Sequence, residues 1–230
     1  MYKISAYCCC RVKLFTFAGM KISARMISAI FSPLLFPLFG TILIITANPN
    51  LFGYFGLKVH FVWLIIVFAL TVMFPLIWLF MMRRLEMIDN LNFEDSKERI
   101  IPFIAIATFY LWAAWMFKPN VNMKIPSNQL VFFMMLGCCL SVFVAFFINI
   151  FGNISLHTIG AGSLLGLLLP MVRISTYDLR MVLIAGILIA GIIGTARMVL
   201  KDHSPREIFS GYLVGFVGQF IAFTILPKIF

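Results

Sequence analysis

The feature that most constrains this chain is a series of apolar runs, several of which reach or approach the roughly 20 residues a helix needs to cross a bilayer. Read in windows of about 19 residues, the runs fall near residues 24–46, 59–82, 101–117, 129–151, 155–172, 181–197 and 208–226. Within each run the apolar residues are continuous. Barrel strands would instead be about 10 residues long and alternate in polarity. The sequence therefore predicts an all-α fold, a polytopic membrane helical bundle of about six or seven transmembrane helices. A basic N-terminal tail, residues 1–23, leads into a single transmembrane domain, residues 24–230.

With 63% hydrophobic and 11% charged residues, the net charge of +10 has to be read against a membrane. The basic residues are spread over the connections between spans and build no soluble basic domain, so anionic lipid headgroups are the expected partner and nucleic acid is not. The tail, MYKISAYCCCRVKLFTFAGMKIS, carries no uninterrupted apolar core followed by a small-residue cleavage site, and the first span is expected to be retained. Cys8, Cys9 and Cys10 beside this basic flank are acceptors for acylation in a suitable host. Cys138 and Cys139 fall inside a span and read as small packing residues. The cysteines show no metal-ligand spacing and fix no redox compartment.

If the spans alternate sides, the tail, the connection 83–100, the turn FGNIS at Phe151–Ser155 and the stretch from Arg197 to Glu207 share one face. The other face receives ANPNLFGYFGLK, KPNVNMKIPSNQ, RISTYDLR and Lys228, ordinary polar connections. The shared face gathers Lys97 and Arg99 just before Pro102, Ser155 and His157 at the start of another span, and Arg197, His203 and Glu207 in ARMVLKDHSPREIFSGYLVG. Cations, two imidazoles and a carboxylate at one membrane surface are the groups that handle a phosphate ester. Ser155 and Ser204 each sit where a span begins, so two helix N-termini would aim their N–H groups and positive dipole ends at the same place. Gly162 and Gly166, then Gly211 and Gly215, have the four-residue spacing that lets membrane helices approach closely, which would bring His157 and His203 together.

These three segments resemble a degenerate form of the three-part signature of the type 2 phosphatidic acid phosphatase (PAP2) superfamily: Lys, six residues, Arg-Pro; Pro-Ser-Gly-His; Ser-Arg, five residues, His, three residues, Asp. The third part matches best, with MVLKD between Arg197 and His203 and SPR between His203 and Glu207; Ala196 stands for the Ser and Glu207 for the Asp. In the second part ISLH keeps Ser155 and His157 but not the Pro or Gly. In the first part Lys97 and Arg99 are too close together, and Pro102 does not directly follow an Arg. The resemblance covers roughly residues 59–226. It implies a phosphoric monoester or diphosphate hydrolase acting on a lipid phosphate or polyprenyl diphosphate in a plasma membrane or bacterial inner membrane. His203 would take the phosphoryl group as a phosphohistidine, Glu207 would accept a hydrogen bond from its other nitrogen, and His157 would protonate the leaving oxygen. Arg197, Arg99, Lys97 and Ser155 would bind the phosphate, with no metal and no cofactor.

Other readings of the same residues stand beside this one. SPRE at Ser204–Glu207 is a capping box with Pro at the first helical position, a role for Glu207 compatible with the catalytic one. Arg197, Lys201 and Arg206 taken singly are flanking anchors, and His157 alone is a structural histidine. His157, His203 and Glu207 are a zinc-ligand set by type. The bundle as a whole is also read as a non-catalytic PAP2-like membrane protein that binds lipid phosphate headgroups or assembles with partners. A transporter is the third class, against which stands the small number of ionisable residues within the spans. The shared face holds 12 of the 18 Lys and Arg, but five of the 12 are candidate phosphate ligands or their neighbours, so the positive-inside rule leaves sidedness open.

Overall fold

A computed structural model of the chain describes residues 20–49, 56–85, 100–118, 126–175 and 177–225. Among the described residues seven helical elements follow one another. Helix α1 is Met20–Ala47, and α2 runs from Gly56–Phe68 through the π turn Ala69–Met73 into Phe74–Arg84. The remaining five are α3 Ile100–Met116, α4 Pro126–Phe151, α5 Leu156–Ile174, α6 Arg180–Val199 and α7 Pro205–Thr224. Six of them are long and apolar enough to cross a membrane; α3, apolar over Ile101–Met116, is shorter. No strand occurs among the described residues. The all-α membrane bundle is thus observed, with six or seven spans at the predicted places.

Interruptions in the helices trace to proline. In α1 the residue before Pro33, Ser32, adopts φ −59° and ψ 140°, the extended geometry that a following proline imposes. A 3-10 turn Pro33–Leu35 then restarts the helix at Phe36. In α2 the π turn immediately precedes Phe74 and Pro75, whose ring offers no N–H to the ladder. Thr71 inside that turn donates its hydroxyl to the Val67 carbonyl at 2.8 Å, which adds a polar partner where water is excluded.

Helix α5 is the axis of the bundle, packed by α7, α6, α4 and the second half of α1. Its Leu167, Leu168 and Met171 are fully buried, together with Ile44 of α1, Met134 and Met135 of α4 and Ala222 of α7. The α5–α7 crossing is made by glycine. A Cβ on Gly162 would lie 2.9 Å from Tyr212 Cα, and one on Gly215 would lie 2.8 Å from both the Ile159 carbonyl carbon and the Ser163 amide. Gly166 likewise faces the Phe216 backbone and Gly211 the Ser155 carbonyl. The two backbones touch because none of the four positions carries a side chain, which is the close approach that the glycine spacing predicted.

Candidate functional site

The crossing puts the first turns of α5 and α7 against each other, since a Cβ on Gly211 would meet Thr158 and, at 2.9 Å, the Ser155 carbonyl. The residues that open these two helices, and the end of α6 that leads into α7, form one polar cluster.

At the start of α7 the local chemistry is that of a helix cap. Ser204 is the N-cap, Pro205 follows it, and the capping box is complete. Ser204 Oγ accepts from the Glu207 amide at 3.4 Å, and the Glu207 carboxylate accepts from the Ser204 amide at 3.3 Å. The same carboxylate oxygen, Glu207 Oε2, lies 2.9 Å from His203 Nδ1. One carboxylate therefore starts the helix and orients the imidazole. His203 is well packed, its side chain 8% exposed. With Nδ1–H donated to Glu207, the unprotonated nitrogen of a neutral ring is Nε2.

The turn into this cap is strained. Helix α6 ends at Leu200 in helical geometry, and Lys201 takes φ 60°, a left-handed conformation that a residue with a Cβ adopts at a cost of about 1 kcal/mol. The reversal folds Asp202 back over α6, where its carboxylate meets Arg197 Nη2 at 2.9 Å. The other arm of the guanidinium, Nη1, donates to Ser28 Oγ at 2.9 Å. The Arg197 side chain is 12% exposed, whereas Asp202, at 44%, keeps much of its contact with the surroundings.

His157, one residue into α5, completes the cluster. Its Nε2 is 3.0 Å from Ser28 Oγ and 3.2 Å from the Ser28 carbonyl oxygen, and it lies within electrostatic reach of Arg197 and His203. Ser28 thus joins the start of α5 to the end of α6. Ser155, the N-cap of α5, is fully buried, makes no capping hydrogen bond with its side chain, and its Oγ has no hydrogen-bond partner among the described residues. The two helix N-termini consequently differ: the Ser204 side chain caps the Glu207 amide of α7, as the SPRE capping box predicted, whereas the Ser155 side chain caps no amide of α5.

Of the residues singled out in the sequence, Ser155, His157, Arg197, His203 and Glu207 come together at this end of the bundle. Lys97 and Arg99 lie outside the described residues. The zinc alternative finds no support, since among the described residues no three His, Cys, Asp or Glu side chains group as a metal site. Sequence reasoning missed Ser28 and gave Asp202 no role. Asp202 had a signal, its place in the charged turn beside Arg197. Ser28 offered only a hydroxyl inside an apolar run, eight residues into α1. Compared with known protein families, curated proteins and solved structures, the chain has no significant match.

Proposed function

We propose that this protein is an integral membrane phosphatase of PAP2 type that hydrolyses a lipid phosphate or polyprenyl diphosphate through a phosphohistidine. The observation that carries this reading is the His203–Glu207 pair, 2.9 Å apart, in the same cluster as His157 and Arg197. An imidazole oriented by a carboxylate, beside a second imidazole and a guanidinium, is a phosphoryl-transfer set. His203 Nε2 attacks phosphorus, the bond to the lipid oxygen breaks, and Arg197 neutralises charge on the non-bridging oxygens. His157, whose Nε2 is taken up by Ser28, protonates the departing oxygen through its other ring nitrogen. Water then attacks the phosphohistidine, His157 takes the proton from that water, and inorganic phosphate leaves with His203 restored. The substrate's apolar tail lies along the spans.

A second reading has its own observation. Arg197 already pairs with Asp202 and Ser28, so the cluster also suits a non-catalytic PAP2-like protein in which these groups lock α1, α6 and α7 together.

The test is phosphate release from glycerol, sphingoid and polyprenyl phosphates by the full chain in detergent. His203→Ala is expected to abolish release and to leave no trapped phosphoprotein. His157→Ala slows turnover by about 10²–10⁴-fold, least for substrates with good leaving groups. Glu207→Gln is milder than either, because the amide oxygen still accepts from Nδ1. Wild-type protein that binds phospholipid yet releases no phosphate, with all three variants binding alike, would establish the non-catalytic reading instead.

A further inference from the structure

We infer that Ser28, contributed by α1, is a further anion-binding residue of the cluster, its hydroxyl proton directed to an oxygen of the bound phosphate. The inference rests on the phosphate-site reading above and follows from donor and acceptor counting. A carbonyl oxygen only accepts, so the 3.2 Å contact between His157 Nε2 and the Ser28 carbonyl is attractive only when Nε2 carries the proton. Arg197 only donates, so at 2.9 Å Ser28 Oγ accepts from Nη1. The Nε2–H, 3.0 Å from Oγ, is shared with the same oxygen. In the Nε2–H tautomer neither neighbour receives the hydrogen of the Ser28 hydroxyl, and these are the contacts Ser28 makes with its side chain among the described residues.

What remains is a hydroxyl donor polarised by a guanidinium and an imidazole N–H, both of which pull electron density from its oxygen. Such a donor is strengthened by the bonds its oxygen accepts. Its natural acceptor is an oxyanion, because both groups that touch its oxygen are donors. The fully buried Ser155 hydroxyl, two residues from His157 and without a partner among the described residues, is a second polar group in the same region whose hydrogen bonding the protein leaves incomplete.

The experiment measures binding of inorganic phosphate to the full chain in detergent by calorimetry, beside the lipid-phosphate release assay, with wild type, Ser28→Ala and Ser28→Thr. Losing one hydrogen bond to a charged ligand is expected to weaken phosphate binding in Ser28→Ala about tenfold or more. Ser28→Thr, which keeps the hydroxyl, restores it at matched thermal stability. Equal or tighter binding by Ser28→Ala overturns the inference, since Ser28 would then be a plug that the anion displaces. So does equal weakening in both variants, which would mark Ser28 as packing alone, and so does a wild type that binds no phosphate. The two readings fail separately. Phosphate binding that depends on Ser28 without any release from lipid retains this inference and removes the phosphatase, whereas release with phosphate affinity unchanged in Ser28→Ala does the reverse.

Discussion

Helices α6 and α7 both flank α5 and both end or begin in the polar cluster, yet they are attached in opposite ways. Helix α7 lies backbone to backbone on α5 through Gly162, Gly166, Gly211 and Gly215. Helix α6 buries only Ala190, Ile193, Gly194 and Ala196, exposes Met181, Leu188 and Ile187 to the surroundings, and barely touches α7. Its glycine at 191 has no atom within 4 Å of the place a Cβ would occupy. Ala190 and Ile193 pack against Phe36 and Ala161, and polar bonds add to this: Tyr212 of α7 donates to the Ala190 carbonyl, and Arg197 reaches Ser28 and Asp202. In a bilayer, where lipid is as apolar as any side chain, packing and hydrogen bonds are the two available adhesives. Here α7 rests mainly on close backbone packing, whereas α6 adds hydrogen bonds to a looser apolar contact. The pair that must hold His157 and His203 together uses the one that permits no play.

The largest effect that would break this contrast is at the glycine face. Gly215→Ala places a methyl carbon against the Ile159 carbonyl and the Ser163 amide, both backbone and unable to yield as a side-chain tip would. Overpacking of this kind costs about 1–3 kcal/mol, and Gly215→Val more. Thermal unfolding in detergent should show the loss for Ala, and Val should fail to give monodisperse protein. Wild-type stability in Gly215→Ala would mean that the crossing is looser than a backbone contact.

Next in size is the cap. Ser204→Ala removes the hydroxyl that accepts from the Glu207 amide, a change worth about 1 kcal/mol of helix stability. The Glu207 carboxylate keeps its bond from the backbone amide of residue 204, but the loosened first turn carries that carboxylate, so the His203 ring loses definition. The expected outcome is a small fall in unfolding temperature and a larger fall in phosphate release. A variant that loses stability alone would show that Glu207 orients His203 without help from the cap.

Smaller again is the α6 tether. Tyr212→Phe deletes the donor to the Ala190 carbonyl, and hydrogen bonds between membrane helices average about 0.6 kcal/mol. The shift should be just resolvable in an unfolding curve and should leave the α5–α7 register untouched, with phosphate release near wild type.

The same contrast explains what could be read in advance. Span positions were legible because about 20 continuous apolar residues have one structural solution in lipid. The α5–α7 crossing was legible because glycine spacing is a local pattern that survives in one dimension. The capping box was legible for the same reason, as SPRE spells its own hydrogen bonds. Ser28 was not, since it lies 129 residues from His157 and 169 from Arg197, and nothing in MISAI distinguishes a serine that receives a guanidinium from one that packs against a neighbouring helix. The lack of a side-chain cap at Ser155 was not legible, because serine at a helix start is the usual mark of a cap. The left-handed Lys201 had no signal either, because glycine or asparagine is the usual mark of that conformation.

The smallest expected effect is the sharpest control on the comparison. Gly191→Ala makes on α6 the same chemical change that Gly215→Ala makes on α7, at a position open to the surroundings with no neighbour to meet. In water, alanine inside a helix gains roughly 0.8–1 kcal/mol over glycine, mostly by restricting the unfolded chain. In a bilayer that gain shrinks, because a separated span must remain helical to satisfy its own backbone. The variant is therefore expected to unfold within about 0.5 kcal/mol of wild type, on the stabilising side, and to release phosphate at the wild-type rate. A loss above about 1 kcal/mol, the size of an overpacked contact, would mean that the open face of α6 is packed in the membrane against another protein surface. In that case both faces of α6 would be packed, and its contrast with α7 would narrow.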